Sequence, residues 1–218
     1  MTNATADLTI FLLLGALRQA NSAIRKIHEG KFKDNLSFGH DPHGKTLGIL
    51  GMGRIGRAVT RRAVPFGLKV IYHNRRELSA EKTEGATYVQ FDQLLSESDI
   101  ISVHVPLNNS TRHLISAEDI AKMKHGVVII NTARGAVIDE AAMAQALDES
   151  RIAAVGLDVY EREPQIDKRL IENERALLTP HIGTHTTETL AEMEGLAMEN
   201  ARRGVFGKEL LTPVPEML

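Results

Sequence analysis

The sequence predicts an α/β fold, a doubly wound parallel sheet with helices on both faces. Three observations carry that expectation. Short apolar runs alternate with stretches of helical spacing through most of the chain, and strands separated by helices require right-handed crossovers and a mostly parallel sheet. The first of these strands, Thr46 to Leu50, runs directly into Gly51, Gly53 and Gly56, a GxGxxG turn at the head of a helix. The chain has 218 residues, 43% hydrophobic and 25% charged, an ordinary globular balance with length for one large domain or two small ones.

The elements follow in order. Residues 2 to 29 read as one long helix with a few polar interruptions, and "NLSFGHDPHG" (35 to 44) as a linker. "TLGIL" is the first strand. "RIGRAVTRRAVPFG" has helical spacing and closes near Pro65 and Gly67. "LKVIYH", rich in β-branched and aromatic residues, is the next strand. A helix-prone "LSAEKTEG" leads to the short strand "ATYVQ"; "FDQLLSES" reads as a helix and "DIISVHVPL" as a strand. Ser116, with Asp119 three residues on, opens the helix "SAEDIAKMK" with a near capping box. "GVVIINT" is a buried strand, and Asp139 can cap the helix "DEAAMAQALDES". "RIAAVGLDVY" and "ALLTPH" are the last strands. Residues 186 to 203 form a final amphipathic helix, and the tail "LLTPVPEML" is expected to be extended.

Composition narrows the function classes. Lysine and arginine number 26 against 28 acids, a net charge of -2, so no general nucleic-acid or membrane surface is expected. The chain has no cysteine, which excludes disulfides, thiolate catalysis and cysteine-based zinc sites. The apolar run Ile10 to Leu14 is too short to span a bilayer and lacks the basic start of a signal sequence. A cytoplasmic location, with no metal and no membrane partner, is the expectation.

Four motifs carry chemistry, each at a strand end. In "GILGMGRIG" the glycines allow a tight turn and close approach of backbone to a pyrophosphate, and the helix start offers free N–H groups to it. In "NTARGAVID" Arg134 is the only charge in the turn, and its fork matches the two oxygens of a carboxylate. A salt bridge to a neighbouring loop would serve it equally well. "GLDVYEREP" offers Asp158, Glu161 and Glu163 as carboxylates that can orient a histidine, with Glu161 reading as a solvated loop acid. "LTPHIGTHT" sets His181 directly after the last strand, a placement suited to a proton donor once an acid and an arginine lie on adjacent edges.

In this order and spacing the motifs resemble the D-isomer-specific 2-hydroxyacid dehydrogenases, and among them the glyoxylate and hydroxypyruvate reductases. The resemblance implies a Rossmann dinucleotide-binding domain over residues 35–183, a helix and linker over 1–34 from an incomplete substrate domain, and a helix and tail over 184–218 returning to that domain. Members of the family carry further chain ahead of the "ATADL" helix, so the likeness covers the cofactor domain and its bordering helices. It implies that Arg134 binds the substrate carboxylate and carbonyl, that Glu163 holds the histidine, and that His181 is the acid–base. It assigns the cofactor to Gly51, Gly53, Arg54, Ile55, Gly56, Asn74, Arg75, Pro106, Thr111, Thr132, Ala133, Arg134, Asp158, His181 and Gly183.

The activity implied is hydride transfer to a small 2-keto acid such as glyoxylate or hydroxypyruvate, giving the D-2-hydroxy acid, by a homodimer. A cofactor-binding fragment without turnover and a dinucleotide-sensing interaction module are the alternatives. The apolar face of residues 2 to 29, having lost its cover, is expected to favour self-association. Asn74 lies 18 residues past Gly56 (74 minus 56), near where NAD-specific relatives carry an aspartate. An amide there, followed by Arg75 and Arg76, predicts NADPH in preference to NADH, with NAD still possible.

Overall fold

A computed structural model describes residues 1–213. Seven strands build its sheet: β1 Thr46–Leu50, β2 Lys69–His73, β3 Thr87–Tyr88, β4 Ile100–Val103, β5 Val127–Asn131, β6 Ile152–Leu157 and β7 Ala176–Leu178. All pairs are parallel, in the order β3-β2-β1-β4-β5-β6-β7. The order reverses between β1 and β4, and open α/β sheets bind ligands outside the carboxyl ends of the strands at such a switch point.

The helices are α1 Thr2–Leu17, α2 Ala20–His28, α3 Arg54–Ala63, α4 Phe91–Glu97, α5 Ala117–Lys122, α6 Glu140–Asp148, α7 Lys168–Glu172 and α8 Thr187–Val205. Two buried clusters flank the sheet, one under α1 and α3, the other under α4, α5 and α6. Strand β5 shows why: Val127 and Ile129 enter one cluster, while Val128 and Ile130 enter the other. A strand buried on both faces needs this unbroken apolar run. The expected caps form. Ser116 and Asp119 make a reciprocal capping box at α5, and Asp139 accepts the Ala142 N–H at α6.

Three expectations need correction. Residues 2 to 29 are two helices, because α1 stops at Leu17 and Gln19 turns left-handed at φ 52. The linker causes the break: the His40 N–H takes the Leu17 carbonyl at 2.8 Å, closing the helix end from outside. The apolar surface of residues 2 to 29 is covered in part: Phe11, Ile24 and Ile27 are more than half exposed. Ala6, Leu12, Leu13, Ala16 and Leu17 are buried in the cluster shared with α3 and the sheet, each leucine worth about 1.5–3 kcal/mol of transfer free energy. Finally, "LSAEKTEG" makes only a single 3₁₀ turn, Ala80–Lys82. It buries none of its residues there, and a short helix without a packed face is marginal.

The short helix α7, capped by Asp167, was not anticipated. Of the tail expected to be extended, residues 214–218 lie outside the described residues. Among the described residues no helix is long and apolar enough to cross a membrane.

Candidate active site

The glycine loop after β1 has the geometry its sequence implies. Gly51 sits at φ 102, and a Cβ there would lie 2.8 Å from the His104 carbonyl. A Cβ on Gly56 would strike the Gly51 carbonyl, so α3 can approach β1 only with glycine there. Gly53 faces open space. The first helical bond of α3 runs from Arg57 N–H to the Gly53 carbonyl at 3.0 Å, which leaves the N–H groups of Arg54, Ile55 and Gly56 for a ligand. A tight turn, an open approach and a close helix contact are what a dinucleotide pyrophosphate requires.

Asn74 at the end of β2 does something the sequence did not disclose. Its Oδ1 accepts the Met52 N–H at 2.8 Å, tying β2 to the glycine loop. Among the described residues nothing accepts from its side-chain amide N–H groups. Arg75 and Arg76 beside it are exposed. Beyond β4, the Thr111 hydroxyl donates to the Pro106 carbonyl at 2.6 Å and accepts the Asn108 N–H at 2.8 Å. The loop thereby closes on itself and brings Pro106 and Thr111 together.

The turn after β5 is built by a buried side chain. Asn131 accepts the Ala133 N–H and donates to the Arg134 carbonyl, both at 3.0 Å. Thr132 is buried and its hydroxyl meets that of Thr9 on α1 at 2.9 Å. Arg134 is exposed, with one amino group on the neighbouring Ala133 carbonyl at 2.6 Å. A Cβ on Gly135 would collide with the backbone of Tyr160 and Glu161. The "NTARG" turn and the "YEREP" loop are therefore pressed backbone to backbone.

Asp158 holds the histidine loop. It is buried, and its carboxylate accepts from the Thr179 hydroxyl (2.7 Å), the Ile182 N–H (2.8 Å) and the Gly183 N–H (2.8 Å). Within that bracket His181 adopts φ 56, a left-handed conformation that costs a non-glycine residue free energy and persists only where its surroundings enforce it. Thr5 on α1 adds a bond to the Gly183 carbonyl at 3.2 Å.

His181 and Glu163 are brought together. The imidazole Nδ1 lies 2.7 Å from Glu163 Oε2, and Glu163 Oε1 accepts the Tyr160 N–H at 2.9 Å. Burial raises the Glu163 carboxyl. The bonds from His181 and Tyr160, with the charges of His181 and Arg134, outweigh it and hold the group below its ordinary value. Because an ionised carboxylate only accepts, Nδ1 carries a proton and Nε2 is the nitrogen left for a substrate. Arg134 bonds to neither partner directly; its charge reaches Glu163 across the site.

Glu161 departs from its expected role as a solvated acid. Its side chain is only 16% exposed, and Oε1 takes both Arg112 at 3.2 Å and His113 at 3.0 Å. Its own N–H donates to Glu140 at 2.8 Å. Asn131 went unread, although an Asn opening "NTA" is a local signal for an Asx turn. Glu140, Thr5 and Thr9 carried no local signal, because their partners are remote in sequence.

Residues 10–183 match the family model described as the D-isomer-specific 2-hydroxyacid dehydrogenase NAD-binding domain. The chain belongs to the D-isomer-specific 2-hydroxyacid dehydrogenases. Glyoxylate reductase 1 of Saccharomyces cerevisiae is 52% identical over all of this chain and 64% of its own length. The 4-methyl-2-oxopentanoate reductase A of Aspergillus oryzae is 50% identical over 99% of this chain and 66% of its own. The solved glyoxylate reductase from Paecilomyes thermophila superposes with a TM-score of 0.96 at 56% identity, covering all of this dehydrogenase-family chain and 66% of that one. This chain thus spans about two thirds of the length of the relatives it matches.

Proposed function

We propose that the chain is the cofactor-binding and acid–base part of an NAD(P)H-dependent reductase of small 2-keto acids, glyoxylate or hydroxypyruvate among them, which forms the D-2-hydroxy acid. The observation that carries the reading is the His181–Glu163 pair at 2.7 Å, on the same sheet edge as Arg134 and the glycine loop. When bound, the reduced nicotinamide would supply a hydride to the carbonyl carbon.

Arg134 would take the substrate carboxylate in its fork and set the carbonyl toward His181. His181 Nε2 would give its proton to the carbonyl oxygen as the hydroxyl forms, while Nδ1–H stays on Glu163. Glu163, already ionised, would stabilise the cationic ring before transfer and fix its orientation. Asp158 Oδ2 accepts only from the Gly183 N–H among the described residues, which leaves it a lone pair for a carboxamide N–H.

Residues Gly51, Gly53, Arg54, Ile55 and Gly56 would hold the pyrophosphate, and Pro106, Thr111, Thr132, Ala133 and Gly183 would border the rest of the cofactor. NADPH is the preferred form in this reading. An amide at Asn74 does not repel a 2′-phosphate, and Arg75 can bond to it. The relatives' additional length favours a second reading, in which the chain alone binds dinucleotide and turns over little, since the opposing wall of the cleft would come from elsewhere. Homodimer formation belongs to the same proposal.

Oxidation of NADPH with glyoxylate or hydroxypyruvate tests the activity, and His181→Ala should slow it at least about 100-fold. Near-normal turnover in that variant would remove His181 from its role. Binding of NADPH without turnover would select the second reading.

A further inference from the structure

The loop after β4 and the loop after β6 carry different parts of the site, and a single side chain joins them. Glu161 Oε1 accepts from the Arg112 guanidinium at 3.2 Å and from His113 Nε2 at 3.0 Å. Both donors follow Thr111 immediately, and Thr111 closes the cofactor loop onto Pro106. His113 stands at φ 49, a left-handed backbone that histidine tolerates better than most non-glycine residues. Its N–H is fixed on the Ala136 carbonyl at 2.8 Å.

On its other side Glu161 is equally committed. Its N–H donates to Glu140 at 2.8 Å, and the adjacent Tyr160 N–H donates to Glu163 at 2.9 Å. Displacing Glu161 therefore displaces the carboxylate that orients His181. An exposed ion pair would contribute little. This one sets two donors on an acceptor whose side chain is 16% exposed; Arg112 is itself 57% exposed and His113 38%, so the less solvated His113 carries more of the tie.

We propose that Glu161 is a positioning residue that clamps the cofactor loop, residues 106–113, to the acid–base loop, residues 160–164, so that hydride donor and proton donor keep one spacing. The inference rests on the functional reading above.

The test compares Glu161→Ala and Glu161→Gln with the parent chain. Three quantities are read: NADPH affinity from the fluorescence of the bound reduced nicotinamide, the thermal midpoint, and amide hydrogen exchange along the chain. Glu161→Ala frees the cofactor loop, which binding must then order at a cost of about 1.4 kcal/mol, so NADPH binding should weaken about tenfold. Exchange should rise in residues 106–113 and 160–164 while the sheet stays protected. Glu161→Gln keeps an acceptor oxygen and should recover part of the affinity. Should the alanine variant fail to fold, the Arg112→Ala/His113→Gln double variant removes the same clamp from the outer side and should show the same tenfold loss.

Parent-like affinity in a folded Glu161→Ala protein would overturn the clamp and leave the functional reading standing. So would exchange that rises across the whole sheet with no rescue by glutamine. A parent chain that binds no dinucleotide would overturn both.

Discussion

Replacing Gly135 with alanine is expected to separate catalysis from cofactor binding. The added Cβ would overlap the Tyr160 carbonyl group and the Glu161 nitrogen. These are backbone atoms, so no rotamer change relieves the clash. The "YEREP" loop must retreat by about 1 Å, and overpacking of this kind costs about 1–3 kcal/mol. The retreat acts on the Tyr160 N–H that holds Glu163 Oε1 and, through it, on the 2.7 Å contact with His181. A misplacement of about 1 Å in a positioned group can cost about 100-fold in rate. The glycine loop lies on β1, two strands from β5, but the retreat also pulls on the Glu161 tie to residues 112 and 113, so NADPH affinity should fall by no more than about tenfold, well short of the loss in turnover. The assay pairs NADPH oxidation under saturating 2-keto acid with a fluorescence titration of NADPH. Undiminished turnover in a folded Gly135→Ala protein would refute the argument that backbone contact sets the Glu163–His181 geometry.

Three further outcomes are expected. His104 is held neutral by burial, its pKa lowered from 6.5 to about 4, so the unfolded chain binds its proton first; stability is complete above about pH 6.5 and falls as pH drops toward 4. Because the residue as a whole is only half-buried, about 2–3 kcal/mol at pH 4.5 is an upper bound; urea unfolding at pH 7.5 and 4.5 should show the loss, and His104→Gln should flatten it. The Asn74→Asp/Arg75→Ala double variant should move cofactor preference toward NADH by about ten- to hundredfold, read from paired titrations of NADH and NADPH; equal affinities in the parent would sink the assignment. Ser116→Ala removes the acceptor of the Asp119 N–H and should lower stability by about 1 kcal/mol without touching cofactor affinity, as judged by thermal melts and the same titration.

The parallel sheet was legible because its evidence is local. Alternating strands and helices, the apolar run of β5 and the caps at Ser116 and Asp139 are each written within a few neighbouring residues. Arg134, Glu163 and His181 were legible because each follows a strand end within a distinct motif. What escaped depends on distant partners. The break at Gln19 comes from a linker amide some twenty residues away, on His40. Glu161 reads as a surface acid until Arg112 and His113 arrive from another strand's loop. The second task of Asn74 shows only when Met52 is beside it. The helix expected over "LSAEKTEG" failed for the opposite reason: its propensity was adequate but no core waited for it.

The buried bracket at Asp158 has a consequence for redesign. That carboxylate, with Asn131 and Glu140, fixes loop backbone through amides that any residue type supplies. The side chains that would meet substrate, Arg134 and His181, point outward and support almost none of the architecture. Reactive groups and scaffold are thus held by separate sets of residues. Position 134 can be filled with another chemistry, a lysine for example, on a platform whose shape does not depend on it; position 181 is narrower, because its left-handed backbone suits histidine or asparagine better than a bulky side chain, and an exchange at Asp158 would dismantle the platform itself.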